Sequence, residues 1–312
     1  MTVDSSPHEL PLDAEEYLTW LAVERGRSRN TLSAYRRDLG AYSAWLAESR
    51  RPLDAVTEAD VSAYVGHLRA SGRAPSSVAR AVAVVRNLHR FLAEEGRTAV
   101  DPAADVPAPR VPAGLPKPLT EEEVTALLEA VVGADPVHRR DRAVLELLYG
   151  TGMRISELCG LSLGDLDADA GIVRVFGKGA KERVVPVGRL ALAATADWLG
   201  PSGRPRMVPA RWARRGDAEA MFLNQRGSRL SRQAGWTIVT RYGERANLTG
   251  ALSPHVLRHS CATHMLDHGA DLRVVQELLG HASISTTQVY TKVSTERLRS
   301  AFESAHPRAH RA

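Results

Sequence analysis

Residues 253–269 read SPHVLRHSCATHMLDHG. The run predicts a helix over 254–268, and what that helix holds decides between two kinds of protein. His255 and Arg258 stand three residues apart. On a helix, positions i and i+3 share a face, so both side chains can point at one phosphate. His259, His264 and His268 lie further along, and His255 with His259 has the i, i+4 spacing of a zinc pair. Against zinc, there is no H-E-x-x-H motif, no supporting cysteine pair, and Arg258 would stand beside the cation.

The neighbouring stretches supply other groups that phosphoryl chemistry needs. Cleavage of a phosphodiester takes a nucleophile, cations on the non-bridging oxygens and an acid for the leaving oxygen. In LLGHASISTTQVYT, 278–291, His281 follows a glycine and Tyr290 comes nine residues later, one of only 7 tyrosines. The plain alternatives are a capping histidine and an edge aromatic with a solvated hydroxyl. In GTGMRISELCGL, 150–161, Arg154 begins a helix after a glycine turn. A guanidinium grips phosphate oxygens in pairs, and a helix N-terminus adds backbone donors. The alternative is a surface arginine near a cap. In FGKGAKERVV, 176–185, Lys178 lies at a hairpin tip between two glycines, where it reaches a ligand or merely makes a polar turn.

Around these motifs the chain reads as two domains. Residues 1–100 predict four helices. Tyr17, Leu18 and Leu21 share a face of the first. Leu32, Tyr35, Leu39, Tyr42 and Leu46 repeat at helical spacing in the second. Thr57 with Asp60 forms a capping box for the third, and Pro75 suits the first turn of the fourth. Gly26, Gly72 and Gly96 stand where helices would stop. Residues 101–118, DPAADVPAPRVPAGLPKP, carry six prolines and read as an extended linker. The second domain, 119–312, opens on another capping box, Thr120 with Glu123. Helices are expected at about 139–150, 154–162, from 189 onward, 254–268, 271–279 and 294–305. Two strands carrying Ile172, Arg174, Phe176 and Arg183, Val185, Val187 flank the GKGAK turn. The Arg- and Pro-rich stretch 200–220 reads as a loop.

Charge is unevenly placed within the net +5. Residues 1–110 hold 14 Arg and no Lys against 15 acids, and the remainder holds 27 Lys plus Arg against 21. The basic second part points to a polyanion such as nucleic acid. No apolar run is long enough for a transmembrane helix, and the acidic N-terminus lacks a signal core. Two cysteines make no disulfide framework. The expectation is a cytoplasmic protein with no membrane partner.

Taken in order, Arg154, Lys178, His255-x-x-Arg258, Gly280-His281 and Tyr290 resemble the tyrosine recombinase (phage integrase-like) family. TGMRISELCGL, HVLRHSCATHMLDHGADLRVVQELLGHASISTTQVYT and the terminal HPRA look like its Xer branch, over about residues 12–308. GADLRVVQELLGH leans to the XerD-like side of that branch. The resemblance implies a mainly α fold: an N-terminal four-helix core-binding (SAM-like) domain and a mostly helical catalytic domain with a small antiparallel β-sheet. It implies that Tyr290 attacks a DNA phosphate to leave a 3′-phosphotyrosyl bond. Arg154, Arg258 and His281 would stabilise the transition state, His255 would handle the tyrosine proton, and Lys178 would protonate the leaving 5′-oxygen. Glu157 matches an acidic position that orders the site. No cofactor and no metal are implied.

The implied partners are double-stranded DNA with a dif-like site, a second Xer-type recombinase in a cyclic heterotetramer, and a DNA translocase as activator. The last helix, about 294–305, docks into a neighbouring protomer in the family; its apolar face of Leu298, Ala301 and Phe302 equally suits packing in cis. Arg25, Arg27, Arg29, Arg36, Arg37, Arg80, Arg86 and Arg90 are candidate DNA contacts of the first domain. Cys261 replaces the branch's usual phenylalanine, and 200–220 looks longer than the usual connection. A type IB topoisomerase-like relaxing enzyme, a mobile-element integrase and a binding regulator without cleavage are the other readings.

Overall fold

The structure, a computed structural model, describes residues 10–107, 117–177, 182–248, 252–280 and 295–309. It divides into two compact units, Met1–Gly114 and Leu115–Ala312.

The first unit holds α1 (Leu12–Val23), α2 (Arg29–Glu48), α3 (Glu58–Ala70) and α4 (Pro75–Glu94). Ser28 caps α2 by accepting from the Thr31 amide at 3.3 Å. Thr57 and Asp60 close a capping box on α3, and Pro75 opens α4. The chain turns left-handed after three of the helices, at Gly26, Gly72 and Gly96. The apolar stripes bury Tyr17, Leu18, Leu39, Leu88 and Phe91 in one cluster and Tyr42, Tyr64, Leu68, Val82 and Val85 in another. The Tyr42 hydroxyl and His89 Nε2 lie 2.8 Å apart in this core. Burial pushes His89 down to about 4, so it is neutral at pH 7.

Residues 101–107 differ from the extended linker that their prolines suggest. They turn back onto the first unit, where Ala103 and Val106 are 0% and 2% exposed. The Asp101 carboxylate accepts from the Ala103 amide at 2.9 Å, an Asx turn that reverses the chain. Two apolar side chains three residues apart then reach the core between α3 and α4.

The second unit is built on α6 (Pro136–Thr151), which buries nearly every residue from Arg140 to Thr151. A helix covered all round is a central element. It packs against α8 (Arg189–Leu199) and α10 (Pro254–Asp267), with α5 (Glu121–Glu129), α7 (Ile155–Gly160), α9 (Arg232–Arg245), α11 (Leu272–Leu279) and α12 (Thr295–Ala305) around it. A three-stranded antiparallel sheet runs β1 (Leu166–Asp167), β2 (Ile172–Phe176), β3 (Glu182–Pro186). Its register pairs Ile172 with Pro186 and Phe176 with Glu182. The stretch 200–220 has one short 3-10 turn, Arg204–Met207, and is otherwise irregular. Arg204 is buried and donates to the carbonyls of Ala218 and Ala220, so it holds the loop itself. No helix among the described residues is long and apolar enough to cross a membrane.

Helix α12 lies in cis, against β3, α10 and α11. Leu298, Phe302 and Ala305 are buried. Just beyond it, Arg308 donates to both carboxylate oxygens of buried Glu146, at 2.9 and 2.6 Å.

One glycine joins α6 to the site. Gly152 follows the helix at φ 59°, and a Cβ there would stand 2.6 Å from Leu279 Cδ2 and 3.2 Å from Cys261 Sγ. A Gly152→Ala substitution therefore adds a left-handed backbone penalty to overpacking. We expect a loss of about 2–4 kcal/mol in urea unfolding of the full chain. A loss below about 0.5 kcal/mol, the level of a neutral surface change, would show that the contact relaxes freely.

Candidate functional site

The site forms where the start of α7, the end of α11 and the first turns of α10 meet. Gly152 ends α6 in a left-handed turn, so Arg154 arrives as the N-cap residue of α7. Its amide donates to Glu157 Oε2 at 2.7 Å and its guanidinium to Oε1 at 2.9 Å. Ser253 caps α10 and Pro254 starts it, which puts Arg258 on the inner face. Arg258 donates to the carbonyls of Gly152 and Leu279, both at 2.7 Å. Arg154 Nη2 points to the carbonyl of Gly280 at 3.4 Å. Backbone carbonyls of two segments thus fix two guanidinium groups beside one another.

Charge is concentrated here. Arg258 is 8% exposed. Burial first, then repulsion from Arg154 and Arg183, pushes it down to about 10, so it stays a cation at neutral pH. Glu157 is also buried, which by itself would raise its carboxyl. The hydrogen bonds and charges of Arg183 and Arg154 outweigh that and hold it below the usual range. Three guanidinium groups and one carboxylate leave a positive site, with Arg154 at its open edge (side chain 37% exposed). Such an arrangement is prepared to take up an anion.

The structure therefore brings together Arg154, Glu157 and Arg258. His255 is one helical turn before Arg258, on the exposed side of α10. Lys178, His281 and Tyr290 lie outside the described residues. His264 serves the core, bonding to the Tyr149 hydroxyl and the Leu119 carbonyl, both at 2.8 Å. His259 is half-buried. Among the described residues, no group of three or more His, Cys, Asp or Glu side chains converges as a metal site.

Local sequence patterns did not single out Arg183 as a site residue. It donates twice to Glu157, at 2.9 and 2.8 Å, and once to the Leu278 carbonyl at 2.9 Å. A signal was present. Arg183 and Val185 alternate along one face of β3, Val187 continues the spacing just past its end, and both valines are buried. A basic side chain on that inward face needs an acidic partner.

The arginines of the first unit divide by what they touch. Arg36 pairs with Glu15, and Arg80 holds buried Asp38 at 2.8 Å. Arg86 donates to the Ala104 carbonyl at 3.3 Å. Arg25 stacks over Trp20 at 4.7 Å. Arg25, Arg27 and Arg90 line a hollow of about 250 Å³ with Trp20 and Tyr35. Arg29 and Arg37 are exposed. Arg36, Arg80 and Arg86 thus have partners within the unit, while Arg27, Arg29, Arg37 and Arg90 present their charge outward.

A mostly helical chain with a small antiparallel sheet thus gathers three guanidinium groups into a site suited to an anion. Residues 14–96 match the phage integrase N-terminal SAM-like domain, and residues 117–297 match the phage integrase family. The chain belongs to the phage integrase family of tyrosine recombinases. It is 50% identical over 313 residues to the tyrosine recombinase XerD of Mycobacterium tuberculosis, covering 96% of this chain and 99% of that one. With the tyrosine recombinase XerD of Corynebacterium glutamicum the identity is 47% over 305 residues, covering 95% and 98%. Two solved structures share the fold. A lambda integrase dimer bound to a COC′ core site aligns at TM-score 0.67 and 20% identity, covering 91% of this chain and 98% of that one. The XerH site-specific recombinase bound to difH substrate aligns at TM-score 0.63 and 23% identity, covering 92% and 83%.

Proposed function

We propose that this recombinase acts through Tyr290 and that it resolves chromosome or plasmid dimers at a dif-like site. The observation that carries the reading is the meeting of Arg154 and Arg258 over the carbonyls of Gly152, Leu279 and Gly280. Two fixed guanidinium groups at one spot match the two non-bridging oxygens of a scissile phosphate. The Tyr290 oxygen attacks phosphorus and the bond to the 5′-oxygen breaks. The tyrosine proton passes to His255, and Lys178 gives a proton to the departing oxygen. The product is a 3′-phosphotyrosyl bond and a free 5′-hydroxyl. That bond conserves the phosphodiester, so a second 5′-hydroxyl reverses the step without ATP. Arg154, Arg258 and His281 stabilise the charge that grows on the phosphoryl oxygens, work that metal ions do elsewhere.

In this reading, which extends the Xer-branch resemblance of the sequence, a second Xer-type protein completes a cyclic heterotetramer and a DNA translocase acts as activator. In such a ring α12 would exchange its cis seat for one on a neighbour. The outward arginines of the first unit, Arg27, Arg29, Arg37 and Arg90, would contact the DNA backbone.

Covalent trapping tests the core of this reading. The protein is incubated in EDTA with a nicked suicide duplex bearing a dif-like site, and the mixture is run on a denaturing gel. A DNA-shifted band is expected, with the linked nucleotide mapping to the peptide that contains Tyr290. No adduct, alone or with a second Xer-type protein added, would rule the reading out.

A further inference from the structure

We propose that Arg183 is a positioning residue for strand cleavage: its guanidinium locks the Glu157 carboxylate that holds Arg154 and fastens the end of α11 at the same point. The proposal rests on the tyrosine recombinase reading of the site.

The geometry is a three-pronged clamp. Two donors of the Arg183 fork meet both oxygens of Glu157, at 2.9 and 2.8 Å. The Nε–H meets the Leu278 carbonyl at 2.9 Å. The side chain is 14% exposed and its partner carboxylate 2%. Parallel bonds to one carboxylate fix its plane as well as its position. Glu157 then takes the amide and the guanidinium of Arg154, so the orientation of Arg154 depends on that of the carboxylate.

Three segments converge on this one group. Arg183 stands on β3, five residues after Lys178. Glu157 belongs to α7, whose N-cap is Arg154. Leu278 belongs to the last turn of α11, and its neighbour Leu279 supplies a carbonyl to Arg258. Gly280 adds a steric reason for the close approach, because a Cβ there would lie 3.1 Å from Arg183 Cδ. Arg183 therefore sets the spacing between the start of α7 and the end of α11, the two segments that carry or anchor Arg154 and Arg258. It touches no reacting atom in this scheme. Its effect passes through Glu157 and the Leu278 carbonyl.

A lysine at 183 keeps the charge but has neither the fork nor the third fixed donor. A methionine keeps the stem and removes the charge. The full-length protein is assayed as Arg183→Lys, Arg183→Met, Glu157→Gln and the Arg183→Met/Glu157→Gln double variant. Single-turnover cleavage of the suicide duplex is measured from pH 5 to 9, with DNA affinity measured alongside. Rates are normalised to the folded fraction.

The expected result is a loss of cleavage of about 10- to 100-fold in Arg183→Met, the range for a displaced supporting group, with little change in DNA affinity. Arg183→Lys should recover only part of it. The double variant should be no worse than about the poorer single one, because both act along one chain of contacts. The acid side of the pH profile should move to higher pH in Arg183→Met. The charged groups facing Glu157 are Arg154, Arg183 and Arg258. Without Arg183, burial raises the carboxyl, so Glu157 loses its charge, and Arg154 its partner, at a higher pH than in the parent.

Additive single effects, an unmoved acid limb, or full activity in Arg183→Met while the parent forms its adduct would each overturn the proposal. Absence of an adduct in the parent itself would instead remove the recombinase reading beneath it. Should Arg183→Met not fold, Arg183→Lys and Glu157→Gln carry the same comparison.

Discussion

Tyr290→Phe is expected to abolish the covalent protein–DNA adduct while leaving DNA binding unchanged. The substitution removes one hydroxyl, which is the whole of the proposed nucleophile, and keeps the ring. A free tyrosine titrates near 10, so at neutral pH its hydroxyl attacks slowly unless cations favour the phenolate. The site has cations in excess: Arg154, Arg183 and Arg258 surround one carboxylate. The other tyrosines are poor substitutes. Tyr17, Tyr42, Tyr64, Tyr149 and Tyr242 are each no more than 1% exposed. Burial raises the phenols of Tyr17 and Tyr42 and pushes Tyr64 and Tyr242 up to about 12, further from the phenolate. Tyr35 is half-buried in the first unit. So Tyr35→Phe should keep the full adduct on the same denaturing gel. An adduct that survives in Tyr290→Phe would transfer the nucleophile's role to another group.

The expected insensitivity of DNA binding has its own basis. Affinity for DNA comes from many phosphate contacts spread over a surface, and no single neutral hydroxyl carries much of it. A variant that lost both adduct and binding would point to a folding defect, not to lost chemistry.

Local signals in the sequence located most helices, because each signal is a complete physical device. Thr57 with Asp60 and Thr120 with Glu123 close their capping boxes in the structure. The helix that went unread is α9. Its sequence, RQAGWTIVTRYGER, contains two glycines and several β-branched residues, a weak helix former by propensity. It forms because Gly235 lets Ile155 approach and because Ile238, Val239 and Tyr242 are buried, facts of tertiary packing. The chain at 101–107 misled for the opposite reason. Its prolines are real, but the Asx turn at Asp101 and two small apolar side chains outweigh them. Arg154 and Arg258 were legible because guanidinium groups suit a phosphate and stand in a readable order along the chain, whereas Glu157, an anion, came into view only through the family resemblance. Arg183 lies 26 residues from Glu157, and no local pattern joins the two.

The electrostatics of the site explain why those groups stay in place. Two arginines held together without an anion repel, and their repulsion contributes to the lowered value of Arg258. Carbonyl oxygens of Gly152, Leu279 and Gly280 and the Glu157 carboxylate offset that repulsion before DNA arrives. The cost of assembling like charges is therefore met in folding, and the scissile phosphate proposed to bind here would relieve it. This is electrostatic preorganisation in residue terms.

Arg258→Lys tests that preorganisation directly. Cleavage is expected to fall by about 10²- to 10³-fold, the effect of removing one donor aimed at developing negative charge. DNA affinity should fall much less, since the lost interaction strengthens mainly as the transition state forms. A lysine cannot bridge the Gly152 and Leu279 carbonyls and still present a planar pair of donors to a phosphate. It also meets an environment that already pushes an arginine down to about 10 through burial and through Arg154 and Arg183. Acting on a lysine, whose ordinary value is near 10.4, the same forces lower the ammonium towards neutrality. The sign follows: cleavage in Arg258→Lys relative to the parent at the same pH is highest at low pH and falls as pH rises and the ammonium deprotonates, while the parent retains its charge at 258 across the range. Single-turnover trapping at several pH values measures both effects. A rate within about threefold of the parent, flat with pH, would show that the fork at 258 holds backbone and does not stabilise the reacting phosphate.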